Sequence, residues 1–234
     1  MGEGDANIFA QRYIDVDKLL EQMNGFLSAC GVPEGELPAM TMSSMPARDL
    51  VVKTPPDKKL KPGNKFSLEP FEFRVIGTPG HSHGHICLYE PHRKLLFAGD
   101  HVLPEIFPFV GLHPQSGENP LGDYISSLNE LLKLKITLTF PGHGPAFSGL
   151  EGRINEIVEY HERKNTAIRK ALAAEPLSAY QVAVNGDDGE DGFKSLNSLN
   201  RRLAVLDTLA HLRLMRNRGE VNEYIKDGVY YYGV

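Results

Sequence analysis

Apolar residues recur at three- and four-residue spacing in three stretches of the chain, a period typical of amphipathic helices. The predicted helices cover 15–30, 120–134 and roughly 151–174. Asp15 or Asp17 can cap the first of them, and Gly31 can end it in a left-handed turn. Residues 32–46 hold three prolines and show no apolar period, so we expect a loop there.

Strand-like patterns fill most of the chain from residue 50 to residue 98 and return shortly before residue 140. The apolar alternations and short apolar runs lie at 50–53, 66–76, 86–89, 94–98 and 136–140. Turn residues separate several of these runs, as in the Pro-Pro-Asp break at 55–57 and the Pro-Gly-Asn turn at 62–64. About five or six strands that alternate with helices predict a layered α/β domain.

The last part of the chain has its own pattern of helices and a hairpin. An acidic, glycine-rich segment at 185–192 predicts a loop with a helix on either side. These helices are predicted at roughly 178–184 and 195–217. Asp227 and Gly228 are a strong turn signal between two short terminal strands. Helices followed by a hairpin predict a small winged-helix module, so we expect one domain over 1–174 and a second, winged-helix-like domain over 175–234.

Three side chains able to bind a metal follow the ends of predicted strands. His81 comes after the Thr-Pro-Gly break at 78–80, Asp100 follows Gly99, and His143 follows a Pro-Gly turn. Histidine nitrogens together with a carboxylate suit a divalent ion, since zinc, iron and manganese all accept such donors. The sequence therefore predicts a metal site at which the binding atoms of the three side chains lie within roughly 3–6 Å of one another.

The strings TPGHSHGH, LLFAGDH and FPGHG resemble the third, fourth and fifth motifs of the metallo-β-lactamase superfamily. The resemblance implies an αββα sandwich, of which this chain would hold one side. It also implies two divalent metal ions, most often zinc and sometimes iron or manganese. In those terms His81 binds one ion, His143 binds the other, and Asp100 bridges both and is the residue closest to the catalytic chemistry.

The same resemblance implies what the site would do. The superfamily hydrolyses esters, thioesters, amides or phosphodiesters, with a metal-activated water as the attacking group. The expected partner is therefore a small-molecule substrate or RNA. Residues 119–135 and 161–164, and the tail from residue 178, resemble the subgroup that includes the mitochondrial β-lactamase-like endoribonuclease.

The first part of the chain departs from the superfamily pattern. The first motif, His-x-His-x-Asp-His, should precede residue 81, yet residues 1–80 contain no histidine. The chain is therefore expected to be the C-terminal portion of a longer enzyme and to be only partly competent. The alternative is an inactive fragment, or a winged-helix binding module for nucleic acid or a protein partner. A further possibility is that another chain supplies the missing ligands.

Histidines outside the three motif positions carry separate predictions. His85 is expected to orient its loop through a hydrogen bond rather than to bind metal, and His83 is interpreted as a surface residue. For His101 a pocket-shaping role and a structural role both stay open. His161 and His211 lie in helical patterns and are predicted to be structural. Arginines near the C-terminus form either a nucleic-acid surface or an ordinary solvated face. They are Arg201, Arg202, Arg213, Arg216 and Arg218.

Composition indicates the kind of partner and the cellular compartment to expect, but it does not identify a substrate. The formal net charge of −5 and the pI near 6.0 give no overall attraction to nucleic acid or to acidic membranes. Cys30 and Cys87 lack metal-binding spacing and are predicted to be buried free thiols, as in a reducing cytoplasm. No signal peptide or membrane-spanning run is expected. The predicted sheet would leave an apolar face uncovered, so association between copies of the chain is expected.

Overall fold

The structure is a computed structural model that describes residues 1–14, 16–45, 53–186 and 189–234. Its contacts divide the chain into two compact units. Unit 1 comprises Met1–Phe9, Pro55–Val110 and Ser116–Tyr160, and unit 2 comprises Ala10–Thr54, Gly111–Gln115 and His161–Val234. The predicted domain division between residues 174 and 175 stays a prediction.

Unit 1 is built on a five-stranded sheet. Its strands are β1 (Lys65–Leu68), β2 (Phe71–Gly77), β3 (Ile86–Glu90), β4 (Leu95–Gly99) and β5 (Leu138–Pro141), in spatial order β1-β2-β3-β4-β5. Neighbours are antiparallel except β4 and β5, which are parallel and are joined through α4 (Pro120–Leu131). A parallel pair needs such a crossover. The mixed sheet with helices confirms the predicted α/β class.

The two faces of this sheet differ in how they are covered. Cys87, Leu96 and Ala98 point to one face and are fully buried. On the other face, register pairs Phe66 with Phe73 and Phe97 with Phe140, and the rings of Phe73 and Phe97 meet edge to face. We call these four residues the aromatic row. Their ring centroids are 4.8 to 5.6 Å apart from one ring to the next. Phe97 is 37% exposed, so the row is partly open to solvent.

Helices and a small sheet form unit 2. Its helices are α2 (Asp17–Ala29), α3 (Leu37–Met42), α6 (Ala179–Val184), α7 (Gly189–Ser195) and α8 (Ser198–Asn217). Its strands are β6 (Leu177–Ser178), β7 (Asn222–Lys226) and β8 (Val229–Gly233), in spatial order β6-β8-β7. Ser178 and Gln181 form a reciprocal capping box at the start of α6, which satisfies two backbone N–H groups. The remaining helices, α1 (Glu3–Tyr13) and α5 (Leu150–Ala171), each contribute residues to both units.

A buried hydrogen-bonded chain links α5 to α8 within unit 2. His211 Nδ1 donates to Asn165 Oδ1 at 2.7 Å, and this leaves His211 Nε2 free to accept from His161 Nδ1 at 3.3 Å. Asn165 Nδ2 in turn donates to Glu162, whose other carboxylate oxygen accepts from Arg218. Both histidines are buried, in keeping with the structural role predicted for them.

Two predicted loops contain helices instead. Residues 37–42 form α3, with Pro38 in its first turn, where the missing N–H of proline costs nothing. Arg202 Nη1 donates to the carbonyl of Met40, so a distant contact stabilises a helix too short to show a period. The prediction of a loop over 185–192 is likewise wrong for Gly189 onward, where α7 begins.

Other predictions have simpler outcomes. The strand expected at 50–53 falls largely on residues 50–52, outside the described part of the chain. Cys30 and Cys87 are free and buried, as predicted. No helix among the described residues has the length and apolarity needed to cross a bilayer.

Candidate metal centre

The strand directions bring the three predicted metal-binding residues to one edge of the sheet. β2 and β4 are both antiparallel to β3 and therefore run in the same direction, and β5 is parallel to β4. The C-terminal ends of β2, β4 and β5 thus lie at the same edge. His81, Asp100 and His143 each follow one of these ends, which is why residues far apart in the chain meet.

Asp100 lies between the two histidines. His81 Nε2 is 3.7 Å from Asp100 Oδ2, and His143 Nε2 is 3.5 Å from Asp100 Oδ1. Both distances fall within the range predicted from the sequence. Side-chain exposures of 33% for Asp100 and 71% for His143 leave the carboxylate and the second ring open to solvent. Among the described residues, no group of three or more His, Cys, Asp or Glu side chains is arranged so that it could hold one metal ion.

Gly142 explains how the loops after β4 and β5 come so close. Its N–H donates to the carbonyl of Gly99 at 2.7 Å. A Cβ at residue 142 would approach Asp100 Oδ1 well inside 3.0 Å, closer than real Cβ atoms come. Gly99 itself has a φ of 52°, a left-handed conformation that favours glycine. The Gly-Asp and Pro-Gly-His strings therefore have a steric reason as well as a chemical one.

The tautomer of His81 suits metal binding. Its Nδ1 is 2.9 Å from the carbonyl oxygen of Phe109, and a carbonyl can only accept a hydrogen bond. Nδ1 therefore carries a proton, and Nε2, which faces Asp100, is the nitrogen whose lone pair can bind a metal ion. Metal-binding histidines usually have their second nitrogen fixed in this way. The donor types present, imidazole nitrogen and carboxylate oxygen, thus suit a divalent ion.

His85 and His101 lie behind the site as neutral rings. His85 Nδ1 is 2.8 Å from Thr78 Oγ1, and burial followed by repulsion from His81 lowers the pKa of His85 to about 4. His101 is fully buried and stacks on His85 at 5.5 Å between ring centroids. Burial also lowers the pKa of His101 well below its ordinary value. His83 is exposed, as expected of a surface residue.

Asp5 supports the loop that carries His81, a role that the sequence pattern does not reveal. Its carboxylate accepts hydrogen bonds from Ser82 Oγ at 2.6 Å and from the N–H of Gly84 at 3.0 Å. The backbone of α1 also comes so close to Gly84 that a Cβ there would clash with the amide nitrogen of Asp5. The start of α1 therefore holds the loop that carries His81. Nothing in the local sequence around Asp5 signals this distant contact.

Four of the five arginines considered for nucleic-acid binding make contacts inside unit 2. Arg201 contacts Glu36, Arg216 contacts Glu223, and Arg218 contacts Glu162 and Glu220. Arg202 is 7% exposed and donates to the backbone carbonyls of Met40 and Thr41. Paired and buried guanidinium groups do not favour the nucleic-acid role, which stays a prediction.

In a comparison with known protein families, residues 15–143 match the sequence model of the metallo-beta-lactamase superfamily. The lactamase-like protein nscB of Arthroderma benhamiae is 30% identical over 141 residues, which are 59% of this chain and 30% of that protein. The lactamase-like protein adaB of Aspergillus niger is 30% identical over 58% of this chain and 40% of its own length. The chain thus spans less than half the length of these relatives.

Solved structures show the same fold. A metallo-beta-lactamase family protein from Thermus thermophilus superimposes with a TM-score of 0.80 at 24% identity, over 100% of this chain and 70% of that one. A beta-lactamase domain protein from Burkholderia ambifaria gives a TM-score of 0.71 at 26% identity, over 92% of this chain and 61% of that one.

Proposed function

Because this chain belongs to the metallo-beta-lactamase superfamily, we propose that it carries part of a metal-dependent hydrolase site formed by His81, Asp100 and His143. The observation that carries the proposal is the position of Asp100. Each of its two carboxylate oxygens lies within 3.5 to 3.7 Å of the Nε2 atom of a different histidine. One carboxylate between two imidazoles is an arrangement able to serve two ions that share a ligand.

Each residue has a separate task in this proposal. His81 offers Nε2 because Phe109 holds its proton on Nδ1. Asp100 offers both oxygens, and the exposed ring of His143 offers Nε2 from the opposite side. A divalent ion bound there, such as zinc, iron or manganese, would supply a Lewis acid for hydrolysis of an ester, thioester, amide or phosphodiester at neutral pH.

The metal binding and hydrolytic activity expected of this chain follow from the number of metal-binding side chains in the candidate site. Catalytic zinc sites hold at least three protein ligands on each ion, whereas a pair of ions here would share three side chains. We therefore infer weak metal binding and little turnover for this chain alone. The alternative function is that of a binding module. The order of α6, α7, α8 and the β7–β8 hairpin, with β6 as third strand, supports a winged-helix-like arrangement for it.

Metal analysis and a substrate panel test the proposal. The purified chain is titrated with Zn²⁺ and Mn²⁺ and assayed with thioester, lactone and phosphodiester substrates, next to an Asp100→Ala variant. We expect weak binding that the variant loses and turnover near background. Equal binding by both proteins would overturn the assignment of the site. Tight binding of two ions with rapid turnover would show that the argument from missing ligands is wrong.

A further inference from the structure

The hydroxyl of Ser127, on α4, connects two of the loops that carry the candidate metal ligands. Ser127 Oγ lies 3.0 Å from the carbonyl oxygen of Pro79 and 3.2 Å from His101 Nε2. A carbonyl can only accept, so the Ser127 proton points to Pro79, or is shared with the carbonyl of Tyr124 at 2.9 Å. The ring nitrogen of His101 then donates to the same oxygen. Pro79 stands two residues before His81, and His101 is the neighbour of Asp100.

Tyr124, one turn before Ser127 on the same helix face, contacts the same two loops. Its hydroxyl donates to the carbonyl of His101 at 2.7 Å. Its Cα would lie 2.8 Å from a Cβ at Gly80, so the backbone of the His81 loop rests directly on α4. Gly80 has a φ of 141°, which side chains rarely adopt. Tyr124 is fully buried, and Ser127 is 5% exposed.

We propose that Tyr124 and Ser127 are positioning residues of the candidate metal centre, holding the His81 loop and the Asp100 loop at a fixed separation. The inference rests on the proposed function for its link to metal. Ser127 acts through the backbone of Pro79 and the ring of His101. Tyr124 acts through the backbone of Gly80 and His101. The separation of Asp100 from His81 therefore depends on a helix that itself carries no metal-binding side chain of the candidate site.

The test compares Ser127→Ala and Tyr124→Phe with a matched control. Tyr89→Phe removes a hydroxyl of the same kind, because Tyr89 is 6% exposed and donates to the backbone carbonyl of Lys135 at 3.0 Å. Its hydroxyl thus bonds to neither of the two loops. Two readouts are collected for each protein: amide hydrogen exchange without metal, and Co²⁺ titration followed by visible absorption.

Without metal, we expect faster exchange at residues 80–85 and 99–103 in Ser127→Ala and Tyr124→Phe, and no change there in Tyr89→Phe. With metal, we expect the dissociation constant for Co²⁺ to rise about 10- to 100-fold in the two α4 variants only. Unchanged exchange in both loops would overturn the inference, whatever the metal result. If the unmodified chain itself binds no Co²⁺, the proposed function fails, while the exchange data still decide the positioning role.

Discussion

The missing side chain of Gly142 leaves room for the carboxylate of Asp100 at the candidate metal centre. The φ of Gly142 is not in the left-handed region, so Gly142→Ala should change little except the space beside Asp100 Oδ1. We expect the added methyl group to displace the Asp100 carboxylate and weaken metal binding. Overpacking of this kind costs roughly 1–3 kcal/mol of stability. Metal titration together with thermal unfolding measures both effects.

Gly152→Ala is the matched control for that substitution. Gly152 lies in α5. Apart from its chain neighbours and the backbone of the helix itself, no atom would lie within 4 Å of a Cβ placed there. Alanine in a helix is favoured over glycine by about 0.5–1 kcal/mol. We expect a small rise in the unfolding temperature and unchanged metal binding. Metal binding by Gly142→Ala equal to that of Gly152→Ala would contradict the steric argument.

The two cysteine thiols should be inert in the folded chain. Burial raises the pKa of Cys30 to about 12, and that of Cys87 to about 12 as well. A thiol reagent reacts with the thiolate, which is scarce at neutral pH for such groups and is also enclosed. We expect no rapid reaction of the native protein and reaction of both thiols in denaturant. Fast labelling of either native thiol would show that its surroundings open readily.

At the scale of elements, the buried pair His161 and His211 makes the contact of α5 with α8 sensitive to acid. The pKa of each ring is lowered to about 3, mainly by burial. Positively charged groups nearby also lower the pKa of each ring. The surrounding charged groups are Glu162, Lys164, Asp207 and Arg218. A proton on His211 Nε2 would also remove the acceptor for His161. The pair is therefore stable only as neutral rings.

The sign of the pH effect follows directly. The unfolded chain takes up protons on these rings below the ordinary value of 6.5, whereas the folded chain does not until about 3. The free energy of unfolding should therefore fall as the pH is lowered from 6.5 toward 3, by about 1.4 kcal/mol per pH unit for each histidine. Denaturant titrations at several pH values measure this slope.

His161→Gln separates this pair from the other histidines. Glutamine keeps an amide donor for His211 Nε2 but does not titrate. We expect the slope to fall by up to about 1.4 kcal/mol per pH unit. His92→Gln is the control, since the His92 side chain is 72% exposed. An unchanged slope in His161→Gln would show that His161 is not neutral in the folded state.

Elements with strong local patterns are predictable from the sequence. The helix predicted at 120–134 is α4 over Pro120–Leu131, and the strand predicted at 94–98 is β4 over Leu95–Gly99. α1 and α3 are not predictable in this way, because their order depends on distant contacts. Asp5 of α1 bonds to the His81 loop, and α3 accepts hydrogen bonds from Arg202.

The candidate site shows the same division between local and distant information. Strand ends and turn residues place His81, Asp100 and His143 together without knowledge of the fold. The support from Tyr124 and Ser127 has no counterpart in the local pattern. Both positions look like ordinary members of an amphipathic helix, and their hydroxyls acquire a role only when β2, β4 and α4 are assembled.

At the scale of the whole molecule, the aromatic row is the surface that should govern association. Its phenylalanines come from four of the five strands, and Phe97 near its centre is 37% exposed. Contiguous apolar surface above roughly 400 Å² tends to drive association. We expect the chain to dimerise or aggregate at micromolar concentration. Light scattering over a dilution series measures this.

Phe97→Ser should reduce that association. Leu132→Ser is a suitable control, because Leu132 is 40% exposed but lies at the end of α4, outside the aromatic row. We expect only the first substitution to shift the distribution toward monomers. A monodisperse monomer before any substitution would mean that the row is covered in another way.

The hydrogen-bonded histidine chain also supplies a natural reporter for magnetic resonance. The proton on His211 Nδ1 is shared with Asn165 Oδ1 at 2.7 Å and is shut off from solvent, because His211 is fully buried. Such a proton exchanges with water slowly enough to be seen, far downfield of the amide signals. Proton spectra recorded during denaturation would therefore show when unit 2 unfolds and this hydrogen bond becomes exposed to solvent. Amide signals of the Asp100 loop would report on unit 1 in the same sample, so the two units could be timed separately in a chain that has no tryptophan.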